Sequence, residues 1–311
     1  MSESDFQHFK KTTHPLTINS LIARSPYGFG DSNNLERSNI YAKILQVKPI
    51  LLKSVKSKYH SQLAIDVHRT YGNIFKSLPM EEKKSRLLLV LDNLFYLHPE
   101  LKYYQGFHDV VSILILAIPS DEMVLAITEK LALTRFKEML TSDIVIVMEQ
   151  GLNALQRVKE IDQQLGDILE EVGCDAMFTL PWYLTWFIHS ISSVEVGVRL
   201  IDFFVCSENE DFGNFIISAI ISQRDNVFNC TEDSSVHTLF TDAPKSFTVD
   251  DVQTIINMTI LLRNKDTTLS QLLNARTHKS SAITFVEENK ATLILAAIVV
   301  VMWSFTYLFS Q

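Results

Sequence analysis

Two short stretches carry residue types and spacings that packing alone does not account for. In Leu63-Ala64-Ile65-Asp66-Val67-His68-Arg69 a carboxylate and a guanidinium stand three residues apart. On a helix they are neighbours on one face, so the carboxylate can orient the guanidinium. An ordinary surface ion pair satisfies the same spacing. In Tyr103-Tyr104-Gln105-Gly106-Phe107-His108-Asp109 three aromatic rings, a glutamine and a glycine come just before an apolar helix. Such a segment presents polar tips from a tightly packed bend, and on its own the pattern is weakly specific.

Other chemistries are excluded by position. A cysteine phosphatase loop needs an arginine six residues after its nucleophile, but Cys174, Cys206 and Cys230 are followed at that distance by Leu180, Phe212 and Val236. There is no glycine-flanked nucleophile elbow, no phosphate loop ending in lysine and no HExxH. His98 and His108 lie near Glu100 and Asp109, but the spacing fits no zinc pattern and reads as hydrogen-bonded surface histidines at helix ends. The pairs Glu81-Glu82 and Glu170-Glu171 read as solvated helix faces or dipole partners. No metal site is expected. The three cysteines are odd in number and widely spaced, as reduced core thiols of a cytosolic body are. A formal charge of −8, with no run of Lys or Arg longer than two, argues against a nucleic-acid partner.

The elements that must position these stretches are helices. Gly and Pro together make up 17 of 311 residues, too few for the frequent turns of a sandwich or barrel, and 47% hydrophobic residues can fill a large core. An all-α chain follows. The pattern predicts helices over Met80–Leu97, led by Ser77 and Pro79, over Val110–Ile118, and over Asp121–Leu140 with Ser120 as N-cap. Further helices are predicted over Asp143–Glu171, Pro181–Ile191, Val194–Cys206 and Phe247–Leu262. Asn229–Lys245 reads as a loop. Arg24–Asp31 is a cluster of turn residues in an entry segment, residues 1–34, without a signal peptide. The polar stretch after Leu262 reads as a linker, placed at residues 266–290.

From Ala291 to Gln311 run 21 residues without a charge. As a helix they reach about 31 Å, close to the roughly 30 Å hydrocarbon thickness of a bilayer. Their apolar residues cover every face, Trp303 and Tyr307 lie on the distal half, and charges stop at Glu287, Glu288 and Lys290. The sequence therefore predicts a single transmembrane tail anchor over residues 291–310 with the body cytosolic.

Taken together, in this order and about 35 residues apart, the two reactive stretches resemble the TBC domain of Rab GTPase-activating proteins. That family carries I-x-x-D-x-x-R, matched by Leu63, Asp66 and Arg69, and then Y-Q-G, matched by Tyr104, Gln105 and Gly106. Its early R-x-x-x-W is matched by Arg37 and Tyr41, and its late R-x-W-D by Arg199, Ile201 and Asp202, so two tryptophans are replaced. Pro181–Phe187 is similar to the family's Trp- and Phe-bearing helix. The resemblance covers roughly residues 30–265, with the domain itself at 35–265. The Y-Y-Q-G-F-H-D sequence and the C-terminal span resemble the endoplasmic-reticulum-anchored branch, which acts on Rabs of early secretory traffic.

The resemblance implies an all-helical, two-lobed body, with Arg69 and Gln105 as catalytic fingers on one groove face and Asp66, Tyr104 and Gly106 supporting their orientation. Arg37, Tyr41, Arg199 and Asp202 would pack the early motif against the late one. The implied partner is a GTP-bound Rab GTPase, which brings nucleotide and magnesium, so this chain needs no cofactor of its own. Two alternatives stand beside it: a catalytically silent Rab-binding scaffold, and a membrane tether in which the body is a spacer.

Overall fold

The computed structural model describes residues 29, 34–70, 80–141, 145–230 and 233–277. The entry segment is therefore outside the described residues except for Phe29 and Asn34. Ser77, Pro79 and the start predicted at Asp143 are also outside, as are residues 278–290 and the whole 291–311 stretch.

Every regular element among the described residues is helical. In chain order they are α1 (Asn34–Leu45), α2 (His60–Arg69), α3 (Glu81–Leu97), α4 (Phe107–Ala117), α5 (Asp121–Thr134), α6 (Lys137–Thr141), α7 (Val145–Ile161) and α8 (Gln163–Glu171). They continue with α9 (Leu180–Thr185), α10 (Val194–Phe204), α11 (Asn209–Ser222), α12 (Arg224–Phe228), α13 (Asp233–Asp242), α14 (Val249–Leu262) and α15 (Leu269–Thr277). Short 3-10 turns fall at Ala176–Thr179, Ile188–Ser190 and Ala243–Ser246.

The helices pack in two groups. α1, α2 and α5 pack around α3 and α4, while α7, α8, α11, α14 and α15 pack on one another; α6 touches α5 and α7, and α9 and α10 touch both groups, α9 against α4 and α7, α10 against α4 and α14. One continuous apolar core joins the groups from Phe29 to Leu272. Its centre is aromatic: Trp182 stacks on Phe187 at 4.8 Å, and Phe136 lies 4.5 Å from Trp186.

Several predicted helices are interrupted, and the reasons are local. The 121–140 stretch breaks between Thr134 and Lys137, where Phe136 turns into the core and the Arg135 guanidinium donates to the Ser207 carbonyl. The 143–171 stretch breaks at Asp162, whose carboxylate accepts from the Leu165 N–H at 3.1 Å as an N-cap and from Arg224 Nε at 2.6 Å. The 181–191 helix stops at Thr185, because Trp186 and Phe187 adopt φ of +50° and +66°. Left-handed backbone at two bulky residues is costly, and their ring contacts in the core offset it.

Two predicted irregular stretches hold helices instead. The Asn229–Lys245 stretch contains α13, which buries Val236 and Phe240 one turn apart and stacks Phe240 on Phe178 at 4.5 Å. The 266–290 stretch contains α15, which packs on α14 through the buried Leu272. In both, a few apolar residues at helical spacing outweigh a polar composition.

Candidate functional site

α2 buries Leu63, Asp66 and Val67 against the body and exposes Ile65, His68 and Arg69. Thr70 ends the helix: its single N–H is shared between the Asp66 and Val67 carbonyls, and its hydroxyl donates to the Asp66 carbonyl at 3.1 Å. Arg69 is thus the last helical residue, a cation at the negative end of the helix dipole. Among the described residues it makes no hydrogen bond or ion pair.

Asp66 does not pair with Arg69. Its buried carboxylate accepts from the Tyr103 hydroxyl at 2.8 Å, 37 residues further along the chain. The same hydroxyl lies 2.8 Å from His108 Nδ1. The Gly106 N–H donates to that nitrogen at 3.3 Å, and His108 Nε2 lies 3.3 Å from the Asp109 carboxylate. On its other oxygen Asp109 meets His189 Nδ1 at 2.9 Å. Hydrogen-bonding groups therefore follow one another from α2, through the bend before α4, to the turn after α9.

Electrostatics differ along this chain of contacts. Burial holds His108 below the ordinary imidazole value, although Asp109 and Asp66 oppose it. His189 moves the other way, raised by its bond to Asp109. Tyr103 is pushed up by burial and by its bond to Asp66, so its hydroxyl stays protonated and remains a donor.

The bend itself is clamped on both sides of one residue. Tyr104 donates to the Leu184 carbonyl at 2.8 Å. Gly106 has φ of +115°, and a Cβ there would stand 2.8 Å from Thr185 Cγ2. Only glycine meets both conditions at low cost. Tyr103, Tyr104 and Gly106 are thus fixed inward, while Gln105 between them is exposed. Its amide, like the Arg69 guanidinium, makes no hydrogen bond among the described residues. Gly106 is the N-cap position of α4 and no side chain caps it, so Gln105 does not serve as the helix cap.

Arg37, Tyr41, Arg199 and Asp202 are gathered elsewhere, in the interior. Buried Asp202 accepts from Tyr41 Oη at 2.5 Å, from Arg37 Nε at 3.0 Å and from the Phe29 N–H at 3.0 Å. Arg199, three residues before Asp202 on α10, donates to Gln253 at 2.9 Å. Tyr41 stands where the family pattern has tryptophan, and its hydroxyl contributes a bond that an indole at that place would have to make through its single N–H.

Sequence reasoning passed over three members of the site. Tyr103 was one aromatic among several, His108 reads as a surface histidine yet is buried, and His189 has no motif around it. The signal available for Tyr103 and His108 is their position, on either side of the glycine bend at Gly106. A shallow cavity of about 930 Å³, lined by Arg157, Tyr183, Cys206, Asp211 and Arg263 among others, excludes both Arg69 and Gln105. Of its charged lining, Arg263 holds Asp211 through two bonds of 2.8 and 2.9 Å, and Arg157 pairs with Glu160 at 2.7 Å.

An exposed arginine and an exposed glutamine are thus carried on two segments that a buried hydrogen bond joins. A family model described as the Rab-GTPase-TBC domain matches residues 29–228. The chain belongs to the Rab-GTPase-TBC domain family. It is similar to the GTPase-activating protein gyp10 of Schizosaccharomyces pombe, 27% identical over 216 residues, covering 68% of this chain and 55% of that protein. It is similar also to human TBC1 domain family member 20, 25% identical over 224 residues, covering 67% of this chain and 54% of that one. The chain thus spans about half the length of these relatives. Its fold is that of the Ypt/Rab-GAP domain of Gyp1p, with a TM-score of 0.57 at 14% identity over 85% of this chain and 98% of that one. It also matches the Chlamydomonas flagellar RabGAP TBC domain, with a TM-score of 0.56 at 13% identity over 83% and 84%.

Proposed function

We propose that this TBC domain accelerates GTP hydrolysis on a Rab GTPase, with Arg69 and Gln105 supplied in trans as catalytic residues. The observation that carries the reading is the pairing of exposure with restraint: both side chains are exposed and unpartnered among the described residues, while their backbones are tied together through Asp66 and Tyr103. Phosphoryl transfer spreads charge over the transferred oxygens, and a guanidinium, always charged and forked, stabilises that charge where water is excluded. The Gln105 amide has both a donor and an acceptor, as needed to orient the attacking water. Nucleotide and magnesium belong to the GTPase.

Asp66 acts indirectly in this reading. It fixes the last turns of α2 against the bend, so that Arg69 leaves a rigid helix end and Gln105 a rigid loop, and little ordering remains to oppose catalysis when the GTPase docks. A silent scaffold is disfavoured by the same geometry, because simple binding does not require two uncommitted finger residues held in register.

The finer location is part of the proposal. The charge-free 291–310 stretch serves as a single membrane anchor in the endoplasmic reticulum, with the TBC domain on the cytosolic side and Rabs of early secretory traffic as substrates. Its support is the length and uniform apolarity of that stretch. Among the described residues no helix is long and apolar enough to cross a membrane, so the anchor rests on sequence alone.

Single-turnover GTP hydrolysis on a panel of purified Rabs tests the catalytic reading. Arg69→Ala is expected to cut stimulation by roughly 10³ to 10⁵, the size of an arginine finger. A loss below about tenfold with an unchanged melting temperature returns Arg69 to an exposed side chain of little energetic weight.

A further inference from the structure

We infer that the strap between α1 and α2, residues 46–58, is a lipid-contact surface of the TBC domain itself: its lysines meet anionic headgroups, and Leu51 enters the boundary beneath them. The inference goes beyond the catalytic reading, does not depend on the 291–310 anchor, and uses residues that no motif marks.

Positive charge is concentrated here. Between residues 37 and 65 there is no Asp or Glu, although the chain as a whole carries a formal charge of −8. Lys48, Lys53, Lys56 and Lys58 fall within the strap, and all are exposed. Lys58 is engaged, its Nζ donating to the Pro99 carbonyl at 2.6 Å. The ammonium groups of Lys48, Lys53 and Lys56 make no hydrogen bond or ion pair among the described residues. Carboxylates beside the strap are occupied. Buried Asp92 accepts from Ser57 Oγ at 2.9 Å and meets His60 at 2.6 Å, and Glu122 accepts from Ser120 at 2.8 Å.

The strap is extended and pinned by its backbone. The Ile50 N–H donates to the Glu122 carbonyl at 3.0 Å, Lys53 exchanges two bonds with the Asn93 amide at 2.8 and 2.9 Å, and the Ser57 N–H donates to Asp92 at 2.9 Å. Ile50 and Leu52 pack against the core, which leaves Leu51 between them outward and 82% exposed. Successive side chains of an extended segment point to opposite sides, so Leu51 and Lys53 share the outward one. A leucine and uncommitted lysines are therefore presented on a fixed backbone, and little ordering opposes their binding.

The residue types favour a lipid surface over an acidic protein. Protein interfaces are depleted in lysine and enriched in arginine, whose planar fork suits carboxylates at fixed positions. A bilayer presents a diffuse negative potential that point charges on flexible stems can follow, and each lysine near it multiplies the contact by about fivefold. An exposed leucine among them adds apolar burial at the headgroup boundary. The strap enters α2 at His60, whereas Arg69 ends that helix roughly 14 Å further along its axis, so lipid contact at the strap leaves Arg69 clear.

The test is amine acylation of the full chain, followed lysine by lysine by mass spectrometry, in vesicles of phosphatidylcholine alone or with about 30% phosphatidylglycerol. Each rate is normalised to those of Lys245 and Lys265, exposed lysines far along the chain. The expected result is acylation of Lys48, Lys53 and Lys56 slowed by about fivefold or more in the anionic vesicles, and restored in about 1 M salt. Leu51→Asp, at an exposed position, is expected to abolish most of that protection without lowering the melting temperature. Lys53→Gln is expected to weaken protection at Lys48 and Lys56, and it decides alone if Leu51→Asp fails to fold. Equal normalised rates in the two vesicle types overturn the inference, as does protection that persists in high salt or in both variants. Protection by a soluble GTP-loaded Rab but not by anionic vesicles also overturns it, and makes the strap a protein-docking surface.

Discussion

The Tyr103 hydroxyl donates to the Asp66 carboxylate at 2.8 Å, and both groups are buried. Asp66 lies one helical turn before Arg69 and Tyr103 two residues before Gln105, so this bond ties the two reactive segments together at their bases. The carboxylate of the first motif therefore serves the second motif and not its own arginine.

Removing that bond should separate positioning from binding. Tyr103→Phe keeps the ring, whose edge-to-face contact with Phe95 at 5.6 Å remains, and leaves the Asp66 carboxylate without its donor. A hydrogen bond to a charged group is worth about 1.5 to 3 kcal/mol. The expected outcome is a lower melting temperature together with a lower saturating GTPase rate per folded molecule, at unchanged affinity for the GTPase. A variant that loses stability but keeps the full rate shows the bond to be structural only.

The Asp202 cluster should behave in the opposite way. Asp202→Ala removes the carboxylate that pairs with the buried Arg37 guanidinium, which keeps its bond to the Phe29 carbonyl, and that accepts from the Tyr41 hydroxyl, which burial and that carboxylate hold strongly protonated. Breaking a buried pair from one side costs about 3 to 5 kcal/mol. Thermal unfolding should move down by about 6 to 20 °C for a domain of this size. The hydrolysis rate per folded molecule should stay at the wild-type level, since among the described residues no hydrogen bond joins this cluster to Arg69 or Gln105. A selective loss of rate at wild-type stability would give the cluster a part in catalysis.

Deleting residues 290–311 should release the domain into the soluble fraction and leave its stimulation of a soluble GTPase intact. Pelleting of the truncated chain with membranes after an alkaline carbonate wash would remove the anchor from the account. Imaging that places the 291–311 stretch on mitochondria would remove the endoplasmic reticulum.

The sequence carried the site's exposed parts better than its supports. Arg69 and Gln105 stand in short motifs whose order and spacing are local, so they are legible without a fold. The Asp66 to Tyr103 bond spans 37 residues and depends on how α2 meets the bend before α4; no periodicity encodes it, and the i to i+3 spacing pointed to Arg69 instead. His108 misleads for a related reason: a polar residue at a helix start reads as exposed, and only the packing of Tyr103 and Asp66 around it shows otherwise. Helix existence was legible from apolar periodicity, but breaks such as Trp186-Phe187 were not, because ring packing in the core outweighs the backbone preference of two bulky residues. The same holds for α13 and α15, where a few buried side chains suffice to order polar stretches.

The central claim is that this chain supplies both an arginine and a glutamine to its partner, and one measurement addresses it most directly. Single-turnover GTP hydrolysis is followed on a Rab and on the same Rab with its own switch glutamine changed to alanine, each with wild-type protein and with Gln105→Ala. If Gln105 orients the attacking water, the wild type still stimulates the glutamine-less Rab substantially, and Gln105→Ala lowers the rate on both with little change in affinity, as expected for an interaction made mainly in the transition state. No stimulation of the glutamine-less Rab by the wild type, together with normal stimulation of the intact Rab by Gln105→Ala, would contradict the account and leave Arg69 alone as the catalytic residue.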